Sequence, residues 1–199
     1  GPDIWVIPNT WVPRHGDKVV AVPDNFFGTD KEKISNSDFV KDKFVPIISN
    51  ELLVDNKLQA LPMFIDTLAL YINKAVFKEV ESEIGQSDAP DEDILNLIST
   101  GPATWNDLVK LVIAITKVEN NNITRSAIAL GQSSNISHSD DILTALMLQN
   151  KTQIISPDHQ TASFNLPQTK NSGESFLPGK NAFDFFLSFS NPNSTNYTW

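Results

Sequence analysis

Residues Lys57 to Phe77 read KLQALPMFIDTLALYINKAVF, the longest apolar stretch with little charge in the chain. Pro62 has no backbone N–H and fixes its own φ, so one continuous helix through this stretch is not expected. The β-branched and aromatic residues instead predict two short buried strands, Leu58–Met63 and Thr67–Ile72. Asp66 then lies at their junction, where a buried carboxylate needs a polar partner.

Local signals on both sides of this stretch predict a hairpin and several helices. Asp55-Asn56 tolerates positive φ and separates two apolar runs, which predicts a hairpin of Leu52–Val54 with Lys57–Leu61. Thr104 and Asp107 approximate a capping box before an amphipathic helix. Further elements are also predicted: helices beginning after Ser37, over Asp91–Ile98, near Ser139 and along Ala182, Phe185, Phe186 and Phe189, and buried strands at Asp3–Ile7 and Ser126–Leu130.

Composition excludes several classes of protein. The 199 residues suffice for one or two domains. The formal net charge of −9 argues against nucleic acid as the main partner, because phosphate binding requires clustered Lys and Arg. The chain has no cysteine, which excludes disulfides, thiolate catalysis and cysteine metal sites. No apolar run approaches the roughly 18 residues that span a bilayer.

No catalytic constellation is visible in the sequence. His15, His138 and His159 lack the spacing of a metal motif, and surface or loop positions are their default interpretation. There is no nucleophile elbow and no glycine-rich phosphate loop. The carboxylate pair Asp140-Asp141 lies at a predicted helix start, where negative charge favours the helix dipole. The sequence therefore predicts a protein that is not an enzyme, with no catalytic residues, no metal site and no cofactor.

Two polar segments are candidates for ligand contact. Asn9, Thr10 and Trp11 follow the first predicted strand, at the end where open α/β sheets bind ligands. Trp11 could stack on a sugar face while its neighbours supply hydrogen bonds; alternatively, Trp11 closes the core beside a polar turn. Ser134 and Asn135 occupy a loop between a predicted strand and a predicted helix, and suit hydroxyl groups. An ordinary capping loop is the alternative there.

Several stretches together resemble one known family. LPMFIDTLALYINKAVF and GPATWNDLVKLVIAITK resemble the extracellular solute-binding proteins of family 1, the maltose-binding-protein-like group of sugar ABC transporters. The similarity continues in the family's order through GPDIWVIPNTWVPRHGDK, ITRSAIALGQSSNISHSDDILTALMLQN and FFLSFSNPNSTNYTW. The resemblance therefore covers most of the chain.

The resemblance implies a fold. It is the α/β fold of the periplasmic-binding-protein-like II class, in which two lobes share a mixed sheet flanked by helices. Residues 1–65 would belong to the first lobe and residues 66–199 to the second, as an incomplete fragment from the middle of a longer protein. By this resemblance Asp66 lies where the chain crosses between lobes and faces the ligand, and Tyr71-Ile72-Asn73-Lys74 opens the next helix.

The resemblance also implies a function. The chain would be a monomer that binds a sugar or oligosaccharide between its lobes and presents it to the membrane permease of an ABC importer. Its location would be extracytoplasmic in a bacterium, in the periplasm or as a cell-surface lipoprotein. Two alternatives stay open, a glycosidase and a structural or adhesin-like module. For Asp66 the alternative is a turn cap that accepts a backbone N–H.

Overall fold

The computed structural model describes residues 3–29, 32–158 and 160–199, so that His159 lies outside the described residues. The chain divides into two compact units, Gly1–Thr67 and Leu68–Trp199. About 40% of the chain is helical and 9% is in strands, a mixture of helices and small antiparallel sheets. Each unit is built around its own buried side chains.

The first unit combines short helices with one hairpin. Its elements are 3₁₀ helices at Asn9–Trp11 and Pro13–Lys18, helices α1 (Asn36–Lys43) and α2 (Pro46–Leu52), and strands β1 (Leu53–Val54) and β2 (Lys57–Leu58). They enclose a core of five buried aliphatic side chains, Val12, Val40, Ile48, Leu52 and Leu58. Val12 anchors the N-terminal segment to this core.

The hairpin confirms the turn that the sequence predicts. Asp55 and Asn56 both adopt positive φ, 49° and 61°, and β1 pairs antiparallel with β2 across them. The second strand ends at Leu58, three residues earlier than predicted. The cap of α1 is Ser35, whose side chain accepts the N–H of Asp38, so the predicted start after Ser37 is two residues late.

The second unit is mainly helical. Its elements are α3 (Lys74–Gly85), α4 (Glu92–Thr100), α5 (Trp105–Ile115), β3 (Lys117–Glu119), β4 (Asn122–Arg125), α6 (Ser139–Gln149), β5 (Gln168–Thr169), β6 (Ser175–Phe176) and α7 (Pro178–Ser188). Helix α5 lies at its centre. Leu111 and Ile115 pack with side chains of α3 and α4, whereas Val112 packs with Leu146 of α6 and Phe186 of α7.

The caps of these helices follow from the sequence. The predicted capping box is present at α5: Thr104 accepts the N–H of Asp107, and the Asp107 carboxylate accepts the N–H of Thr104. The hydrogen bond from the Thr104 hydroxyl is the largest cause of a lowered Asp107 pKa. Gly101 ends α4 with a φ of 79°. Asn73 caps α3, so the Tyr71–Lys74 segment does open a helix.

The last residues of the chain join three elements of the second unit. The Thr116 hydroxyl donates to the carbonyl of Val112 at 2.6 Å, so the hydroxyl of Thr198 donates to Thr116 across 2.6 Å. Thr198 Oγ1 also accepts the N–H of Ala127 at 2.8 Å. The backbone N–H of Thr198 donates to the carbonyl of Phe189. The fully buried threonine thus connects α5, the segment after β4 and the end of α7.

Four strand predictions are wrong. Residues 59–63 and 67–72 have no strand assignment, and neither do the predicted strands Asp3–Ile7 and Ser126–Leu130. Much of the stretch quoted first is exposed: Met63 is 74% exposed and Tyr71 91%. A strand requires hydrogen bonds to a neighbouring strand, which an apolar composition does not supply by itself.

The sheets are therefore smaller than predicted. Within the described ranges, every sheet is a two-stranded antiparallel hairpin, and the predicted mixed sheet is not found. The two-lobe arrangement stays a prediction. In the part of the chain that the structure describes, no helix combines the length and apolarity required to cross a membrane.

Candidate functional site

The N-terminal candidate residues share one short helical turn. The N–H of Trp11 donates to the carbonyl of Pro8 at 2.9 Å, and the N–H of Val12 donates to that of Asn9 at 3.0 Å. Val12, the residue after this turn, is buried in the core of the first unit and attaches the turn to that core. Asn9, Thr10 and Trp11 consequently lie side by side at the surface, in one 3₁₀ helix.

Trp11 is the largest side chain of this turn, and 48% of it is exposed. Trp11 is therefore not a buried residue that closes the core, as the alternative interpretation expects. The indole is partly accessible to solvent, and an accessible aromatic ring is the feature that sugar stacking needs. Its neighbour Val12 takes the core position instead.

The polar neighbours of Trp11 can hydrogen-bond hydroxyl groups. The Asn9 amide nitrogen donates to a carboxylate oxygen of Glu51 on α2 at 3.1 Å, which orients the side chain and leaves its carbonyl oxygen as an acceptor. Thr10 is exposed, and its hydroxyl can donate and accept. The turn thus combines an apolar face with acceptors and a donor.

The structure adds two aromatic residues that the sequence did not single out. The ring of His15 lies 6.0 Å from the Trp11 ring and 5.0 Å from the ring of Trp5, between centroids. Lys18 Nζ also lies 3.5 Å from His15 Nδ1. We call Trp5, Trp11 and His15 the aromatic ledge. Spacing alone could not reveal it, since it depends on the fold of residues 5–18.

Asp66 lies in an exposed part of the apolar stretch, not in a buried strand. Its carboxylate accepts the N–H of Thr67 at 2.8 Å, which is the kind of contact the turn-cap alternative expects. Burial therefore gives no argument for a ligand role of Asp66. Its contact with a ligand stays a prediction.

Ser134 and Asn135 are neighbours in an exposed loop of the second unit. The loop begins at Gly131, whose carbonyl accepts the Ser190 hydroxyl at 2.8 Å, and it ends at α6. Gly131 has a φ of 93°, and an added Cβ would meet Ser190 within 3 Å. The base of the loop is thus fixed, while Ser134 and Asn135 themselves are accessible. The helix that the sequence predicts after them is present; the strand before them is not.

The second unit also contains an apolar cleft of about 170 Å³. Residues 70–73, α3, α5 and residues 126–128 line it, and Asn73 and Ser126 are among its polar residues. None of the predicted site residues lines this cleft. Two parts of its lining, residues 70–72 and 126–128, belong to segments that the sequence predicts as strands.

The strongest electrostatic cluster is an ionic network between α3 and the β3–β4 hairpin. Arg125 binds Glu79 at 2.8 Å and Glu83 at 2.9 Å, and Lys117 also pairs with Glu83. The hydrogen bond from Arg125 is the largest cause that lowers the pKa of Glu83 to about 2. Both carboxylates are paired, and Arg125 is mostly buried. This network is suited to holding the hairpin on α3.

Comparison of the chain with models of protein families, with curated proteins and with solved structures gives no match. Within the described ranges, no three His, Cys, Asp or Glu side chains are grouped closely enough to hold a metal ion.

Proposed function

We propose that this chain is an extracytoplasmic binding protein for a sugar or oligosaccharide, which it supplies to an ABC importer without chemical turnover. The support is twofold. Five sequence stretches in the family's order resemble the family 1 solute-binding proteins, and in one of these stretches an exposed tryptophan lies among hydrogen-bonding groups.

The half-exposed Trp11 on a fixed turn is the observation that carries this proposal. A sugar ring has apolar C–H faces and a rim of hydroxyl groups, so its binding site needs a flat apolar surface edged with donors and acceptors. Trp11 supplies the flat surface, and Asn9 and Thr10 supply the edge. A turn that is already fixed loses little conformational entropy when ligand binds.

The remaining parts of the proposal follow from the resemblance. The fold would be the two-lobe periplasmic-binding-protein-like II class, and Asp66, Ser134 and Asn135 would add hydroxyl contacts to those of the N-terminal turn. Ligand-stabilised closure would be a population shift that requires contacts from both lobes. The permease of the importer would be the partner, and the protein would act as a monomer on the outer side of the bacterial membrane.

Isothermal titration calorimetry tests sugar binding directly. Glucose, maltotriose, cellotriose and laminaritriose are titrated into the purified protein and into Trp11→Ala. We expect saturable binding of at least one sugar, weakened about tenfold or more in Trp11→Ala because the stacking surface is lost. Phe26→Ala is the matched control, since it removes a 60% exposed aromatic side chain outside the ledge.

The same samples distinguish binding from catalysis. A binding protein returns the sugar unchanged after long incubation, whereas a glycosidase releases shorter products that chromatography detects. Product formation that copurifies with the protein would replace the proposal with the glycosidase alternative. Absence of any binding to the four sugars would favour the structural or adhesin-like alternative.

A further inference from the structure

The apolar cleft of the second unit has no part in the proposed sugar site. Its volume is about 170 Å³, and the described residues that line it all belong to the second unit. We propose that this cleft binds a small apolar molecule of about the size of one aromatic ring. The cleft is a separate site from the N-terminal turn, so either kind of binding can be present without the other.

The cleft has a buried floor and an exposed rim. Leu111, Val112 and Ile115 of α5 are the most buried of its lining residues, at 2%, 1% and 5% exposure, and form the floor. Leu70 and Tyr71, also in the lining, are 53% and 91% exposed and form the rim. A small molecule can therefore approach from solvent past the rim. Because every side chain of the floor is aliphatic, the molecule that covers it gains most if it is apolar.

The volume restricts the ligand to about one ring. An apolar cavity of about 150 Å³ accommodates benzene, whereas sites for drug-sized ligands span about 300–1,000 Å³. The cleft, at about 170 Å³, is close to the lower value. Among the described residues that line it, only Tyr71, Asn73 and Ser126 have polar side chains. These are too few to replace the water around the hydroxyl groups of a sugar, so the composition of the lining also favours an apolar ligand.

Contacts within the protein hold the lining in place. The side chain of Asn73 caps α3. Ile72 Cδ1 packs beside Gly101 at the end of α4, where an added Cβ would meet it at 3.4 Å. Elsewhere in the lining, the N–H of Ala127 donates to the Thr198 hydroxyl at 2.8 Å. None of these contacts requires a ligand, so the cleft is preformed and binding costs little conformational entropy.

The side chain best placed to fill the cleft does not do so. Tyr71 is large enough to occupy the space of one ring, yet 91% of it is exposed. The aliphatic floor consequently lacks part of the dispersion contacts that a buried surface normally makes. An apolar ring in the cleft supplies these contacts and removes the floor from water. This gain is the driving force for binding.

An NMR titration of the isotope-labelled protein with toluene tests this inference. We expect saturable shifts of backbone amides that are concentrated at the residues lining the cleft, with a Kd of about 1 mM or tighter. Glucose at the same concentrations should leave these amides unshifted, because the lining cannot satisfy its hydroxyl groups. Glucose shifts at the N-terminal turn concern the proposed function alone, so the two can fail separately.

Two variants that fill the cleft show whether toluene binds there. Val76→Phe adds a ring from α3, and Ser126→Leu adds an aliphatic side chain from another part of the lining. Both should weaken toluene binding about tenfold or more. Ile113→Phe is the matched control, since it adds a ring at a 55% exposed position of α5 outside the lining, and it should bind toluene as wild type does. Circular dichroism checks folding, and Ser126→Leu serves alone should Val76→Phe unfold.

Three results would overturn the inference. The first is the absence of saturable toluene shifts in wild type, and the second is unchanged toluene affinity in a folded cleft-filling variant. The third concerns N-acetylphenylalaninamide, which carries the same ring on a peptide. We expect it to bind more weakly than toluene, because its amide groups lose water beside an apolar rim. Tighter binding of this compound than of toluene would instead indicate a site for an aromatic side chain of a protein partner.

Discussion

Helix α7 and residues 61–72 are both rich in large apolar side chains, but several of these side chains are buried at α7, whereas most of those in residues 61–72 are exposed. Phe186 and Phe189 at the end of α7 are 4% and 0% exposed. Phe64, in the other segment, is 78% exposed. A helix satisfies its backbone with its own hydrogen bonds, so its apolar face can pack wherever a neighbour exists. An extended segment needs a second segment beside it before burial becomes favourable.

This difference in burial affects which residues are candidates for ligand contact. Asp66 was a candidate because a carboxylate in a buried strand needs a polar partner. In the exposed segment the carboxylate accepts the N–H of Thr67, and its exposure removes the need for a further polar partner. Trp11 of the ledge differs from Asp66 in this respect, because it remains exposed on a turn whose next residue, Val12, is buried in the core.

The largest effect is expected where α7 is most deeply buried. Phe189→Ala should reduce the free energy of unfolding by about 3–5 kcal/mol, since the fully buried ring also packs at 5.2 Å against Phe185. Phe183→Ala, on the same helix but 43% exposed, is the matched control and should cost much less. Urea denaturation followed by circular dichroism measures both. Equal losses in the two variants would mean that burial does not distinguish the two faces of α7.

A smaller loss is expected at the threonine that joins α5, the segment after β4 and α7. Thr198→Val keeps the shape of the side chain but leaves the N–H of Ala127 and the Thr116 hydroxyl each without the bond they make to Thr198. We expect a loss of about 1–3 kcal/mol in the same denaturation experiment. The exposed Thr195→Val should leave stability nearly unchanged. A Thr198→Val protein as stable as wild type would show that this hydroxyl contributes nothing to the packing.

The ionic network should make the stability of the protein depend on pH. The pKa of Glu83 falls from its ordinary 4.5 to about 2, first because of Arg125 and then because of Lys117. A lowered carboxylate pKa adds stability that is complete above pH 4.5 and is lost as the pH falls towards 2. The stability difference between wild type and Glu83→Gln should therefore shrink over this range.

Thermal unfolding at pH 7, 4.5, 3 and 2 tests this expectation. In Lys117→Met the stability should still fall between pH 4.5 and pH 2, because Arg125, the larger cause of the lowered pKa of Glu83, is kept. A difference between wild type and Glu83→Gln that stays constant from pH 7 to pH 2 would contradict the assignment.

Features encoded within a few residues were predictable from the sequence. The Asp55-Asn56 turn, the capping box at Thr104 and the aromatic face of α7 each depend on neighbours along the chain, and each is present. The predicted strands needed partners from distant segments, and apolar composition does not specify such partners. The aromatic ledge could not be predicted from the sequence for a related reason. Its rings meet only because the chain turns between Trp5 and His15.

The smallest effect is expected in the extended segment itself. Phe64→Ser replaces a large ring with a polar side chain, yet a 78% exposed ring has little contact area to lose. Surface substitutions of this kind usually change the free energy of unfolding by no more than about 0.5 kcal/mol. Leu58→Ser, six residues earlier and fully buried, is the contrasting variant and should cost several times more. Urea denaturation of both variants thus compares a buried position with an exposed position six residues later. A loss of unfolding free energy above about 2 kcal/mol in Phe64→Ser would mean that the Phe64 side chain is buried in solution. That result would again favour a buried strand here and a polar partner for Asp66.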